Sequence, residues 1–359
     1  MTEKALVAMS GGVDSSVAAY LLQQAGYDCT GAMMKLFENE DVGVGWEKGC
    51  CSLEDAGDAE TVARRLDIPF YIFNYTDDFR TRVMDHFVAE YARGRTPNPC
   101  VDCNRHLKFD ALLHRADDLG CRYIATGHYA RAERDGERVL LKKGLDADKD
   151  QSYVLFFLTQ TQLARTIFPL GALTKPRVRE IAAENGFVNA QKRDSQDICF
   201  VRGGDYADFI EQYTGEKLKA GRFVSDQGAE LGVHRGIARY TIGQRRGLGV
   251  ASSDKLYVCG IDASNNTVVL GKNKRTRKKR LTAREINFIP FDRLDSPMRV
   301  TARIRYGQAE QPATVFQETE DTFCLEFDES QRAITGGQFA VLYDGDVVVG
   351  GGTIDRAEE

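Results

Sequence analysis

Residues 10–16, which read SGGVDSS, separate a short apolar strand-like run from an amphipathic helix-like run. Paired glycines let the backbone approach an anion closely, and the following helix directs N–H groups and the positive end of its dipole to the same point. Ser15 adds a hydroxyl donor, and the Asp14 carboxylate can bind the magnesium ion that accompanies a nucleotide. The segment lacks the Gly-Lys-Ser/Thr of a Walker A loop, so it predicts a nucleotide site that is not built for γ-phosphate transfer.

Three of the nine cysteines, Cys100, Cys103 and Cys199, lie in polar segments that contain Pro, Asn or Asp. The Cys100-x-x-Cys103 spacing suits a redox pair or half of a zinc site, but the sequence offers no second such pair, so a closed zinc site is not predicted. Four others are flanked by strand-like sequence and are expected to be small buried hydrophobes: Cys29, Cys121, Cys259 and Cys324. The Cys50-Cys51 pair, on a Gly-rich loop, stays open between the two interpretations.

Strand-like and helix-like segments alternate over the first two hundred residues. Strands are predicted at 5–9, 27–37, 70–74 and 123–126, and helices at 52–66, 79–93 and 105–119. A second helical stretch is predicted over 152–185, with Pro176 at a plausible first helical position and Gly186 as a stop. This alternation predicts an α/β fold with a doubly wound, mostly parallel sheet. Because ligands of such sheets bind at the carboxyl ends of the strands, the segment 10–16 is placed where a site is expected.

The character of the sequence changes beyond about residue 213, where segments become short, β-rich and punctuated by turns. Asn265-Asn266 and Asp344-Gly345 are typical of hairpin turns. We expect a catalytic α/β domain over 1–205, a small central β-rich domain over 206–275, and a C-terminal β-barrel over 276–359.

The composition is that of an ordinary globular protein, with 42% hydrophobic and 28% charged residues among 359, which excludes disordered and collagen-like classes. No apolar run approaches the ~18 residues of a membrane span, and the first residues do not form a signal peptide, so we expect a cytoplasmic protein with no membrane partner and reduced thiols.

Positive charge is concentrated in one segment. The net charge of the chain is −5, yet residues 271–310 carry twelve Lys/Arg against four Asp/Glu. Within them, the run 272–280 is either a solvated linker or face, or a contact for a phosphate backbone.

The segment 10–16 resembles the PP-loop of the N-type ATP pyrophosphatases, which adenylate a substrate oxygen and release pyrophosphate. Further strings match, in order and over nearly the whole chain, motifs of the tRNA-specific 2-thiouridylase family. They are TPNPCVDCN (96–104), ATGHY (125–129), DKDQSYVL (148–155), KPRVREIAAENG (175–186), DSQDICF (194–200), YTIGQRRGLG (240–249) and RIRYGQAEQPATV (303–315).

This resemblance implies an adenine nucleotide alpha hydrolase-like PP-loop domain, followed by the two β domains, of which the C-terminal barrel contacts tRNA. The implied reaction adenylates the C2 oxygen of the wobble uridine with ATP and Mg²⁺, replaces that oxygen with sulfur, and releases AMP and pyrophosphate. Cys103 and Cys199 match the two catalytic positions. Cys199 would carry a persulfide delivered by a sulfur-relay protein or a cysteine desulfurase, and each turnover would leave a transient Cys103–Cys199 disulfide.

The resemblance also implies two sets of binding residues. The ATP site would be lined by Ala8, Met9, Ser10, Gly11, Gly12, Val13, Asp14, Ser15, Met34 and Gly127. The target base and the rest of the tRNA would be contacted by Asn98, Pro99, Cys100, Lys149, Asp150, Gln151, Arg305 and Tyr306.

Cys100 leaves the mechanism open, because the family pattern often has aspartate at this position. Thiolates of Cys100, Cys103 and Cys199 could instead hold three irons of a [4Fe–4S] cluster. We prefer the persulfide–disulfide route because two cysteines suffice for it.

Two other functions are considered for this chain. One is another PP-loop adenylating enzyme, which would not need both catalytic cysteines. The other is a nucleotide-binding cysteine redox or Fe–S sensor, which would release no pyrophosphate with tRNA.

Overall fold

The computed structural model describes residues 2–38, 53–193, 198–201 and 205–358. Contacts divide the chain into two units: the first comprises 1–83, 100–204 and 346–348, and the second comprises 84–99, 205–345 and 349–359. The predicted domain boundaries after 205 and 275 remain predictions. None of the helices in the described ranges is long and apolar enough to cross a bilayer.

The strands of the described residues are numbered in chain order: β1 (Lys4–Ala8), β2 (Asp28–Lys35), β3 (Phe70–Asn74), β4 (Tyr123–Ala125), β5 (Ala130–Asp135), β6 (Arg138–Lys143), β7 (Thr166–Ile167), β8 (Gly221–Ser225), β9 (Glu230–His234), β10 (Tyr257–Asp262), β11 (Thr267–Gly271), β12 (Arg277–Phe288), β13 (Met298–Arg303), β14 (Gln311–Gln317), β15 (Thr322–Arg332), β16 (Phe339–Asp344) and β17 (Val347–Glu358). The α-helices are α1 (Val13–Gln24), α2 (Leu53–Arg65), α3 (Thr76–Phe79), α4 (Asp85–Ala92), α5 (Pro99–Cys103), α6 (Leu112–Asp118), α7 (Gln160–Ala164), α8 (Lys175–Glu184) and α9 (Tyr206–Thr214).

A five-stranded parallel sheet with the order β3-β2-β1-β4-β7 forms the centre of the first unit. Ala5, Leu6 and Val7 of β1 are fully buried, as expected for a strand covered on both faces. Helices α1, α2 and α8 contribute Val17, Val62 and Ile181 (in chain order) to one apolar core with this sheet. The strand order reverses between β1 and β4, and this is the position where such sheets bind ligands. The predicted α/β fold class is confirmed.

The helical stretch predicted over 152–185 is interrupted by a strand, whereas the predicted position of Pro176 in the first turn of a helix is confirmed by α8. The stretch is divided into a 3₁₀ turn (Ser152–Leu155), α7, β7 and α8. Thr159 starts a new helix because its side chain and that of Gln162 form a capping box. β7 then pairs with β4, where Ile167 extends the apolar sheet. Sequence patterns also missed the antiparallel hairpin of β5 and β6, which belongs to the first unit.

The second unit contains two β structures. One is a four-stranded sheet, β10-β11-β8-β9, and the other is a six-stranded barrel, β12-β15-β14-β13-β16-β17, which the pairing of β12 with β17 closes. The predicted hairpin turns are confirmed: Asn265-Asn266 connects β10 to β11, and Asp344-Gly345 connects β16 to β17. The expectation of small barrel-like β domains is confirmed as well.

The segment 84–99, which leads to Cys100, belongs to the second unit. Its helix α4 packs on α9, with the Tyr91 and Tyr206 rings stacked at 4.7 Å between centroids. The Arg95 guanidinium donates to Asp355 at 3.2 Å, and the Thr96 carbonyl accepts from the Gln338 side chain at 2.8 Å. Residues of β17 and of the turn before β16 therefore hold the chain directly before residue 100.

Candidate active site

The PP-loop segment connects the end of β1 to the start of α1. Gly12 is the N-cap of α1 in an extended conformation, and no side chain of the described residues caps this helix end. The Ser15 hydroxyl accepts from the Ser10 N–H at 3.1 Å and donates to the Gly12 carbonyl at 3.0 Å. The loop is thus fixed from inside while the N–H groups of the first turn face outward from the helix end, an arrangement suited to phosphate.

Gly11 is the point at which the rest of the fold fixes this loop. Its φ is +76°, and a Cβ there would lie 2.2 Å from the Asp55 carbonyl oxygen. The buried Asn189 side chain donates to the Gly11 carbonyl at 3.0 Å and to the Ser16 hydroxyl at 2.9 Å. Both the backbone angle and the close approach of α2 therefore require glycine at position 11.

Three more of the predicted nucleotide residues lie around the loop. A Cβ on Gly127, which follows β4, would lie 2.9 Å from the Ser15 nitrogen and from the Asp14 carbonyl carbon. Met9 and Met34 are buried, at the end of β1 and on β2. The structure therefore brings residues from β1, α1, β2 and the end of β4 to one edge of the sheet. Their contact with a nucleotide remains a prediction.

Asp14 lies in the first turn of α1, with its side chain about one-third exposed, at 33%. Both of its carboxylate oxygens lie 2.8 Å from the Lys175 ammonium, and the Tyr129 hydroxyl donates to one of them at 2.8 Å. The Lys175 nitrogen is also 5.9 Å from the centre of the Tyr129 ring. One carboxylate, one ammonium and one phenol therefore form a second polar cluster beside the start of α1.

The cysteines lie in different environments. Cys103 is buried at the end of α5, Cys100 at its start is exposed, and Cys199 is half-buried. Phe200 anchors the short described stretch around Cys199, because its buried ring packs edge-on against Phe79 at 5.6 Å. Residues 39–52, which include Cys50-Cys51 and the first residue of the helix predicted over 52–66, lie outside the described residues.

The predicted tRNA loop 149–151 is connected to the nucleotide residues. Gln151 accepts from the Tyr129 N–H at 3.0 Å, and its own N–H donates to the Tyr129 carbonyl at 2.9 Å. Asp150 is buried and accepts from the Ser152 hydroxyl at 3.0 Å and from the Gly144 N–H at 3.1 Å. Asp150 thus organises the loop from inside, while Lys149 is half-buried.

His128, which we do not assign to catalysis, is buried among aromatic rings. Its Nδ1 is 2.8 Å from the Thr126 hydroxyl, and its ring lies 5.7 Å from that of Phe109. Burial, followed by the nearby Lys108 charge, holds the pKa of His128 well below its usual value, so the ring is neutral near pH 7.

In the second unit, Arg305 and Tyr306 differ in their exposure. The Arg305 guanidinium donates to the Ala333 carbonyl at 3.1 Å and to the Thr335 hydroxyl at 2.9 Å, so part of its hydrogen-bonding capacity is used within the protein. The Tyr306 ring is 45% exposed and presents a stacking surface. Their contact with tRNA remains a prediction.

The basic run 272–280 is not a linker. It forms a 3₁₀ turn (Asn273–Thr276) and the start of β12. Four of its basic side chains lie near carboxylates. Lys272 is 2.9 Å from Asp254, and Arg275 is 2.9 Å from Asp226. Lys279 and Arg280 are 3.8 and 3.7 Å from Glu326. Local acids therefore offset part of the positive charge that the sequence suggests.

If the run contacts a phosphate backbone, replacing Lys274, Arg277 and Lys278 with Gln should flatten the salt dependence of tRNA binding. Each lost contact with duplex-like RNA should lower the log–log slope by roughly 0.9. Filter binding over a range of KCl concentrations measures this slope. Lys217→Gln, which removes an exposed lysine paired with Glu211, is the matched control. An unchanged slope in the triple variant would assign the run to a solvated face.

Among the described residues, no three or more His, Cys, Asp or Glu side chains are grouped closely enough to hold a metal ion. Cys100, Cys103 and Cys199 all belong to the described residues, and they do not form such a group. The Asp14 carboxylate is a suitable oxygen ligand for a magnesium ion. The Lys175 ammonium would first have to move away from the two carboxylate oxygens that it now contacts.

Sequence reasoning missed Lys175, Tyr129 and Asn189. The signal for Lys175 is a lysine directly before Pro176 at a helix start, where the helix dipole disfavours a cation. Tyr129 lies at the end of a string that the sequence analysis singled out without giving it a role. No local pattern marks Asn189, whose partners lie 178 and 173 residues earlier in the chain.

Comparisons with known proteins agree on the class. Residues 3–203 match the family model described as tRNA methyl transferase HUP domain. Residues 207–272 match its PRC-barrel domain, and residues 278–354 match the aminomethyltransferase β-barrel domain. A protein of Clostridioides difficile (strain 630), named tRNA-specific 2-thiouridylase MnmA, is 50% identical over 359 residues, or 99% of each chain. A protein of the same name from Acetivibrio thermocellus is 49% identical over 98% of this chain and 99% of its own.

Among solved structures, a 4-thiouridine synthetase–RNA complex with bound ATP is 18% identical, with a TM-score of 0.34 over 59% of this chain and 50% of that chain. The NMN synthetase of Francisella tularensis is 14% identical, with a TM-score of 0.35 over 61% of this chain and 79% of that chain.

The fold and site define a HUP-type α/β protein with a PP-loop and two β domains after it. The full-length matches are more specific. The chain belongs to the tRNA-specific 2-thiouridylase family.

Proposed function

We propose that this protein is an ATP-dependent tRNA sulfurtransferase that converts the wobble uridine to 2-thiouridine. The observation that carries the proposal is the similarity, at about half of all positions over almost the whole chain, to proteins named tRNA-specific 2-thiouridylase. The loop geometry supports the part of the reaction that uses ATP. Helix α1 begins after Gly12 without a side-chain cap from the described residues, and Asp14 in its first turn pairs with Lys175.

The first step activates the base. The C2 carbonyl oxygen of uridine is a poor leaving group, so it must be activated before sulfur can replace it. The oxygen attacks the α-phosphate of ATP, pyrophosphate leaves, and the oxygen becomes part of an adenylate. The outward-facing N–H groups of α1 are suited to hold the phosphates, and Asp14 is the proposed ligand for the accompanying magnesium ion. Asn98, Pro99 and Cys100 are proposed to hold the base. The residues proposed to contact the rest of the tRNA are Lys149, Asp150, Gln151, Arg305 and Tyr306.

The second step transfers sulfur. The outer sulfur of a Cys199 persulfide attacks C2, and AMP leaves with the original oxygen. The Cys103 thiolate then attacks the Cys199 Sγ, which breaks the persulfide S–S bond, releases the transferred sulfur as thiouridine and leaves a Cys103–Cys199 disulfide. The two thiolates supply the two electrons that reduce the transferred sulfur. A sulfur-donor protein and a cellular reductant, both proposed here, reset the enzyme, which fits a cytoplasmic location.

Nucleoside analysis of tRNA from cells that lack this protein tests the proposal. Wobble 2-thiouridine should disappear and return when the gene is restored. Purified protein mixed with ATP and unmodified tRNA should release pyrophosphate. Unchanged 2-thiouridine would overturn the proposal, and an absence of tRNA-dependent pyrophosphate release would favour a nucleotide-binding sensor.

Cys100 distinguishes the persulfide route from a cluster. Because Cys100 has no role as a nucleophile in the persulfide route, we expect Cys100→Asp to keep at least about a third of the activity, a cost of less than 1 kcal/mol in the barrier. We also expect anaerobically purified protein to be active without iron. Iron and sulfide analysis of that protein, compared with Cys100→Ser, provides the measurement. Activity that rises with iron content in the wild type and is lost in both variants would favour the cluster.

A further inference from the structure

Lys175 is the first residue of α8, and its side chain is only 9% exposed. Its ammonium lies between the two carboxylate oxygens of Asp14, and its N–H donates to the Asp146 carboxylate at 2.8 Å. Nothing in the sequence motifs or in the reaction above gives this lysine a role.

The placement of this charge is unfavourable by itself. A buried ammonium loses hydration, and at the first position of its own helix it faces the positive end of the helix dipole. Asp14 itself lies in the first turn of α1, so the N–H groups of that helix start are close to the same carboxylate. The start of α1 and the Lys175 ammonium therefore concentrate positive potential around the Asp14 carboxylate, whereas the start of α8 already has an acceptor in the Asp146 carboxylate.

This positive electrostatic potential suits a ligand that carries more negative charge than the single Asp14 carboxylate. The phosphate chain of ATP is such a ligand, because it offers several charged oxygens to one ammonium and to the N–H groups of α1. Gly127 packs directly against the backbone of this helix start, where an added Cβ would lie 2.9 Å from the Ser15 nitrogen, so the residues after β4 adjoin Asp14.

We propose that Lys175 binds the phosphate chain of ATP and that Asp14 holds it in place until the nucleotide arrives. When ATP binds, the Lys175 ammonium moves from Asp14 to the phosphate oxygens, and the carboxylate that it leaves accepts the magnesium ion. Tyr129, whose hydroxyl donates to Asp14, keeps the carboxylate in position during this exchange. The inference rests on the proposed function, because it takes ATP as the substrate of this site.

Calorimetric titration with ATP and Mg²⁺, without tRNA, tests the contact. Lys175→Met should weaken ATP binding by about tenfold or more, the size of one hydrogen bond to a charged group. Competition by adenosine, which has no phosphate, should be unchanged. Lys142→Met is the matched control, since Lys142 also pairs with a carboxylate, that of Glu133 at 2.7 Å, but lies on β6. Thermal unfolding of each variant confirms that it is folded.

The exchange itself is tested without magnesium. Asp14→Asn removes the carboxylate that neutralises Lys175, so metal-free ATP should bind about tenfold more tightly than to the wild type, while the gain from added Mg²⁺ is lost. The double variant Asp14→Asn/Lys175→Met should lose this tighter binding. Because both charges are absent, it also remains informative if Lys175→Met alone does not fold.

Equal metal-free ATP affinity in Asp14→Asn and in the double variant would overturn the inference, because Lys175 would then serve Asp14 alone. So would ATP affinity within twofold of the wild type in folded Lys175→Met. A wild type that binds no ATP would instead contradict the proposed function.

Discussion

Cys199→Ser and Cys103→Ser should each lower thiolation by about a thousandfold or more, because each removes a nucleophile that the sulfur transfer requires. Adenylation should survive in both variants, with about one pyrophosphate released per tRNA, since the PP-loop residues are untouched. Single-turnover assays that measure pyrophosphate and thiouridine in parallel check both statements.

The two variants should fail at different points. Cys199→Ser should carry no persulfide. Cys103→Ser loaded with persulfide should stop as a covalent adduct in which two sulfur atoms join Cys199 to C2 of the uridine. A non-reducing gel with labelled tRNA detects this adduct, and a thiol reductant should release thiouridine from it. An adduct in Cys199→Ser instead would reverse the two roles.

Cys121→Ala is the matched control for the loss of a thiol. Cys121 is buried in the same unit, and its burial raises the pKa of the thiol, which keeps it unreactive. We expect thiolation within about twofold of the wild type, the variation typical of a substitution away from the reacting groups. Substantial thiolation in either Cys103→Ser or Cys199→Ser would remove that residue from the mechanism.

Gly11→Ala should weaken ATP binding by about a hundredfold, because a shift of the loop by even 1 Å misplaces the phosphates. The added Cβ would lie 2.2 Å from the Asp55 carbonyl oxygen, so either the loop or the start of α2 must move. The φ of +76° adds backbone strain to this clash. Binding of a fluorescent ATP analogue, measured beside thermal unfolding, separates the loss of affinity from the loss of stability.

Two other glycines serve as controls for this variant. Gly26 has a φ of +87° but nothing within 4 Å of an added Cβ, so Gly26→Ala should lose about 1 kcal/mol of stability and keep its ATP affinity. Gly12 has a φ of −86°, and the nearest atom to its Cβ would be the Ser10 hydroxyl at 3.5 Å. The fold therefore tolerates alanine at position 12, and a loss of ATP affinity in folded Gly12→Ala would report the approach of the phosphates. Normal ATP affinity in Gly11→Ala would contradict the proposed phosphate site.

The sequence by itself determined the features that depend on neighbouring residues. The apolar run of β1 followed by SGGVDSS predicted a strand, a loop and a helix start, because strand period, glycine and helix capping are local properties. The β/α alternation predicted the parallel sheet for the same reason. The stretch 152–185 misled the prediction because its apolar period continues across β7, whose place in the sheet depends on contact with β4.

The tertiary structure decided which distant side chains share a charge or a hydrogen bond. Lys175 lies 161 residues from Asp14, and Asn189 lies 178 residues from Gly11, yet both contacts form because α8 and the turn after it pack beside α1. It also decided that the Arg305 guanidinium donates to the Ala333 carbonyl, and that Lys and Arg side chains of the run 272–280 lie beside carboxylates. Such pairings follow from the order in which strands and helices pack, and this order depends on burial across the whole chain, which no local spacing encodes.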